Sequence, residues 1–167
     1  MTVAFRRFSK QLRKLEEYNR GKINKMVQFA HRCTVKEVQE VVRLVSRFIR
    51  KQPFPTKMCG VHVLDSIMKY NSTLTAEFRR QFAVCIIGLF LMAFMKAETQ
   101  DRKRLFLFRS SWQWILPTDR LYYLDMTTRQ FDPDWLVIEP ICDENMRPGG
   151  SNDHVPIQKR VRFQLGD

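Results

Sequence analysis

Asp65 stands in the stretch VHVLDSIMKYN (61–71), with His62 three residues before it and Lys69 four residues after it. Residues three and four apart share a helix face, so the trio offers two chemistries: a His–Asp pair that orients a proton transfer, or a carboxylate that accepts a hydrogen bond. The first lacks a nucleophile. There is no GxSxG, no HExxH and no Gly-rich phosphate loop, and the other two histidines, His31 and His154, fall on separate segments. Catalysis is not expected. Cys59 and His62 at i, i+3 give half of a zinc site, but no second half stands at ligand spacing, so neither a metal nor another cofactor is expected. Two readings of Asp65 remain. Either it pairs with Lys69 on a solvated face, for about 0.3 to 0.5 kcal/mol, or it is kept for a partner's donor.

Composition narrows the kind of partner. Against 17 Asp and Glu the chain carries 29 Lys and Arg, a formal charge of +12, which favours polyanions such as nucleic acid, phosphorylated peptides or anionic membranes. The 167 residues suit one domain, and 44% hydrophobic residues can fill a core. Cys33, Cys59, Cys85 and Cys142 stand far apart, with no CxxC and no secretory leader, which predicts a reducing compartment. The most apolar run, FAVCIIGLFLMAFM (82–95), is shorter than the roughly 17 to 25 residues that cross a bilayer, so it reads as a core helix.

The elements that must position Asp65 read as helices. Phe5, Phe8, Leu12 and Leu15 mark an amphipathic first helix ending near Gly21; its basic face is also of the kind that lies on membranes. A short helix follows from Ile23 to His31. Thr34 and Glu37 have capping-box spacing, and Val35 to Ile49 keeps a helical stripe despite its many β-branched residues. Pro53 and Pro55 break the chain, Thr56 is placed to cap the next helix, and that helix carries Asp65. Two helices over 74–81 and 82–96, one over 100–114 and a short one after Pro117, capped by Thr118 or Asp119, complete an all-α domain of seven or eight helices over residues 1–130. Residues 131–167, rich in Pro, Gly, Asp and Asn, read as an extended, partly disordered tail with Trp135 as an anchor.

LDSIMK resembles the L/M-D-S-I-x-K motif of the CTD-interacting domain, the module that reads the heptad repeat YSPTSPS in the tail of RNA polymerase II. RLFLFRSSWQWILPTDRLYYLDMTTRQFDPDWLVIEP (104–140) is similar to the end of that domain in the pre-mRNA cleavage factor II subunit that also acts in transcription termination, and KINKMVQFA is similar to its second helix. The resemblance spans residues 1 to 140. It implies a right-handed superhelix of eight helices, akin to the VHS- and ENTH-like modules of membrane traffic. It also implies a nuclear, non-enzymatic adaptor in mRNA 3′-end formation, with the heptad-repeat peptide and the cleavage and polyadenylation factors as partners and no membrane.

In the family the motif acid accepts a hydrogen bond from the heptad tyrosine while the peptide lies as a β-turn in a groove. Carried onto this chain, Asp65 is that acid. The peptide groove takes in Ile23, Asn24, Asp65, Ser66, Lys69 and Arg109, with apolar neighbours as its wall. Phosphate is expected at Arg109, Lys103 or Arg104, because relatives that read phosphoserine have an arginine where this chain has Leu107. Two lining positions depart from the pattern: His62 stands where the family has tyrosine, and Tyr70 where it has asparagine. A domain of the same fold that binds RNA or another protein is the alternative, and RNA contacts would weaken steeply with salt.

Overall fold

The computed structural model describes residues 1–138. They form seven α-helices and one 3-10 turn: α1 (Val3–Arg13), α2 (Arg20–Ala30), α3 (Val35–Lys51), α4 (Thr56–Lys69), α5 (Thr75–Phe94), α6 (Thr99–Ser111), the turn Trp112–Trp114, and α7 (Thr118–Arg129). Among the described residues there is no strand. Each helix packs mainly on its neighbours in sequence and on the next but one, so the chain winds as stacked pairs. Helix α4 is held between α2, α3 and α5.

Burial decides conformation where propensity points elsewhere. Val38, Val41 and Val45 of α3 are fully buried, and the apolar area removed from water outweighs the small helix penalty of β-branched side chains. Helix α1 ends at Arg13, earlier than its hydrophobic spacing suggests; Leu15 stays buried in the connector, and Asn19 caps α2 by accepting from the Lys22 N–H at 2.9 Å. The two helices expected over 74–96 are one, α5. No breaker separates Gln81 from Phe82, and the rings of Phe78 and Phe82 stack across that junction with centroids 6.4 Å apart. The 82–95 run is not buried all round, with Val84, Met92 and Met95 exposed, and no helix among the described residues is long and apolar enough to cross a membrane.

Three ties fix the frame around Asp65. Glu37 accepts from the Thr34 N–H at 3.0 Å, closing the start of α3 as the capping spacing predicts, and reaches across to the Thr2 N–H and hydroxyl at 2.5 and 2.9 Å. Gly60 lets α4 approach α3: a Cβ there would meet Ile49 Cγ1 at 2.6 Å and Phe48 Cδ1 at 2.9 Å. The ammonium of buried Lys57 donates to the carbonyls of Ile49 and Arg50, satisfying the end of α3. Thr56, expected as a cap, instead donates its hydroxyl to the Glu16 carbonyl at 2.9 Å and pins the α1–α2 connector. Neither Thr118 nor Asp119 caps α7, whose N-cap is Pro117.

The anchor role of Trp135 is met. Its ring is buried against Phe90, Phe94 and Phe106, and its indole donates to Asp125 at 3.0 Å. Residues 131–138 therefore pack as part of the domain. The tail expected beyond them lies outside the described residues.

Candidate functional site

Asp65 is buried on the inner edge of α4, with its side chain 10% exposed. Its Oδ1 accepts from the Trp112 indole N–H at 2.8 Å, reached across 47 residues of sequence. Lys69, one turn along α4, sets its ammonium 2.7 Å from Oδ1 and 2.9 Å from Oδ2. The carboxylate is thus partnered within the domain, by the Lys69 pair that its helix spacing allows and by Trp112, rather than standing bare. The physical reason is the bulky indole at the end of α6, which needs an acceptor once Trp112 is buried to 1% exposure.

The two partners are unequal. Trp112 is in the core, so losing its acceptor would leave a buried donor unpaired, at about 1 to 3 kcal/mol. The Lys69 side chain is 39% exposed, and a helical i, i+4 pair of that kind contributes only about 0.3 to 0.5 kcal/mol. A carboxylate offers about four lone-pair positions, and Oδ2 holds one of these three bonds. Asp65 is therefore a fixed acceptor with room on one oxygen and a cheaply displaced cation over it.

An aromatic cluster adjoins it. The His62 ring lies 4.6 Å from that of Tyr18 and 4.8 Å, edge-on, from that of Phe108; Lys69 sits 5.9 Å over the Phe108 ring. Burial holds His62 below the ordinary histidine range; Asp65 and Asp101 oppose this, and Arg104 and Lys69 reinforce it. His62 is accordingly neutral at neutral pH, an aromatic wall rather than a cation. Tyr18, in the α1–α2 connector and 56% exposed, was not legible as a site residue, because nothing in its local pattern points across the chain to α4.

The remaining expected residues are dispersed. Asn24 is exposed on α2, but Ile23 beside it is 3% exposed and belongs to the core. Ser66 is half-buried on α4. Tyr70 turns to the His31 ring, centroids 4.7 Å apart, where His31 Nε2 lies 2.9 Å from the Ile67 carbonyl. Burial lowers the His31 pKa, against that backbone bond.

Arg104 is exposed and pairs with Asp101 at 3.0 Å, while Lys103 is exposed without an ion-pair partner among the described residues. Arg109 requires correction: it is 2% exposed, and its Nε and Nη2 donate to Asp125 at 2.8 and 2.5 Å. It cannot reach a ligand on the surface. Asp125, fully buried, also accepts from Trp135 and from the Ile138 N–H at 3.1 Å, so this acid closes the domain's end. Among the described residues no group of three or more His, Cys, Asp or Glu could hold a metal ion, and Cys59 is in the core.

No protein-family model matches the chain. The crystal structure of the RPR of Pcf11 is similar at a TM-score of 0.68 over 75% of this chain and 98% of that one, with 16% identity. The fold is that of a CTD-interacting domain. In sequence the chain is 27% identical over 146 residues to the polyadenylation and cleavage factor homolog 11 of Caenorhabditis elegans, 86% of this chain but 18% of that protein. The likeness to the solved structure is one of fold, and the chain spans under a fifth of the curated relative it matches.

Proposed function

We propose that the domain is a non-enzymatic adaptor that binds the heptad-repeat tail of RNA polymerase II during mRNA 3′-end processing in the nucleus, alongside cleavage and polyadenylation factors. One observation carries the reading: a single carboxylate, fixed in direction by Trp112, sits beside an aromatic wall of Tyr18, His62 and Phe108. A phenol hydroxyl donating to Oδ2 would displace Lys69 at the cost of one exposed pair and gain a charge-assisted bond of about 1.5 to 3 kcal/mol. The aromatic faces suit a tyrosine ring and prolines. Kinship with Pcf11 supports the peptide class and the process.

With Arg109 internal, the phosphate contacts fall to Lys103 and Arg104 on the exposed face of α6. Leu107, 68% exposed one turn beyond Lys103, offers a phosphate nothing. A modest preference for phosphorylated repeats follows. Fluorescence anisotropy with labelled two-repeat peptides, unphosphorylated and doubly phosphorylated, tests the reading. Both forms are expected to bind, the second by a small factor more tightly and with that factor erased in Lys103→Glu/Arg104→Glu. Failure of every form to bind the folded domain would remove the proposal, and tighter binding of a single-stranded RNA would replace it.

A further inference from the structure

A second surface lies on helices that contribute nothing to the Asp65 site. Between α3 and α5 runs a groove of about 470 Å³ lined by Val42, Val84 and Cys85 together with Arg43, Arg47, Arg50 and Lys51. No carboxylate and no aromatic ring lines it among the described residues. Arg43 pairs with Glu40 at 3.2 Å; Arg47, Arg50 and Lys51 form no ion pair among the described residues and are exposed.

Two of these cations have a local explanation. Arg50 and Lys51 lie in the last turn of α3, where positive charge complements the helix dipole. Arg47 does not, and Arg43 has only its exposed pair with Glu40. With Arg50 they form a row at i, i+4, i+7, spanning about 10 Å along the axis at 1.5 Å per residue. On the α5 side of the groove, Val84 is 72% exposed. An exposed valine thus stands beside a ridge of arginines of which Arg47 and Arg50 have no ion-pair partner among the described residues.

We propose that this groove docks an acidic amphipathic helix of a partner protein. Leucine-like side chains on one face would seat on Val42, Val84 and Cys85, and glutamates or aspartates on the flank would meet Arg43, Arg47 and Arg50. The spacing favours a helix, because arginines one turn apart face acids one turn apart. Nucleic acid fits less well: its bases find no ring to stack on and no use for the aliphatic lining.

The test is anisotropy of a labelled helical peptide with leucines at i, i+3, i+4 and i+7 and glutamates on both flanks. It is compared with a scrambled isomer and with a single strand of oligouridylate, on the full chain. The amphipathic peptide is expected to bind at least about tenfold more tightly than either comparison probe. Arg47→Glu/Arg50→Glu should weaken it at least about tenfold by placing acid against acid. Val84→Asp should weaken it by roughly threefold or more. All three positions are exposed, so the variants keep the fold, which thermal melting checks, and heptad-peptide binding at Asp65 stays unchanged. Equal binding of the scrambled peptide, tighter binding of oligouridylate, or indifference to Val84→Asp each overturns the proposal. So does an absence of binding.

Discussion

Two buried acids face each other's situation across the domain. Asp125 is 0% exposed and takes four donors, two from Arg109 and one each from Trp135 and Ile138, so it has no capacity left for anything outside the fold. Asp65 takes one committed donor from Trp112 and one exposed ammonium from Lys69. The difference separates a carboxylate wholly spent on the fold from one with an acceptor position left over, the position on which the proposed recognition rests. Burial is alike in the two; what differs is how many lone pairs are spent on core groups and how cheaply the rest can be freed.

The largest expected effect breaks the first of the pair. Asp125→Ala would strand the Arg109 guanidinium, whose Nη1 already lacks a partner, and should cost about 3 to 5 kcal/mol in urea unfolding. A loss below about 1 kcal/mol would show that Asp125 is not the keystone described. Asp65→Asn sharpens the contrast: the amide oxygen still accepts from Trp112, so stability should fall by less than about 1.5 kcal/mol, while heptad-peptide affinity drops tenfold or more. A variant that unfolds but, when folded, binds normally would assign Asp65 to the Asp125 class.

A third carboxylate calibrates the scale. Burial alone would raise the Glu37 pKa, but hydrogen bonds from Thr34 and Thr2 outweigh it and lower it from 4.5 to about 2. A depressed folded pKa adds stability above the unfolded value and loses it as pH falls. The Glu37 contribution is therefore complete above about pH 4.5 and gone near pH 2. Denaturation across that window should show a steeper loss in wild type than in Glu37→Gln, and matching slopes would contradict the clamp. The smallest effect is at Lys69. Lys69→Met should change stability by no more than about 0.5 kcal/mol, and by freeing Oδ2 should tighten unphosphorylated peptide about twofold in the anisotropy titration.

Helical periodicity made most of the fold legible, because Phe8, Val38, Val45, Phe82 and Ile86 sit at spacings only a helix can bury together. It misplaced boundaries where the next link was tertiary: the end of α1 depends on Asn19 and on the Thr56 tie to Glu16, and the continuity of α5 on packing through Phe82. The site was half legible. Asp65, His62 and Lys69 share one helix and read from spacing, whereas Trp112 and Tyr18 come from distant segments with no local mark. Arg109 misled for the same reason. An arginine on the same helix as Lys103 and Arg104 looks like surface until Asp125, 16 residues on, is brought against it.

The central claim is that Asp65 recognises a hydroxyl. It is met most directly by a double-mutant cycle in isothermal titration: heptad peptide with tyrosine or phenylalanine, against wild type and Asp65→Asn. Removing the hydroxyl is expected to weaken wild-type binding about tenfold or more, about 1.4 kcal/mol, and hardly to affect Asp65→Asn. Equal loss in both proteins, or no loss in either, would contradict it.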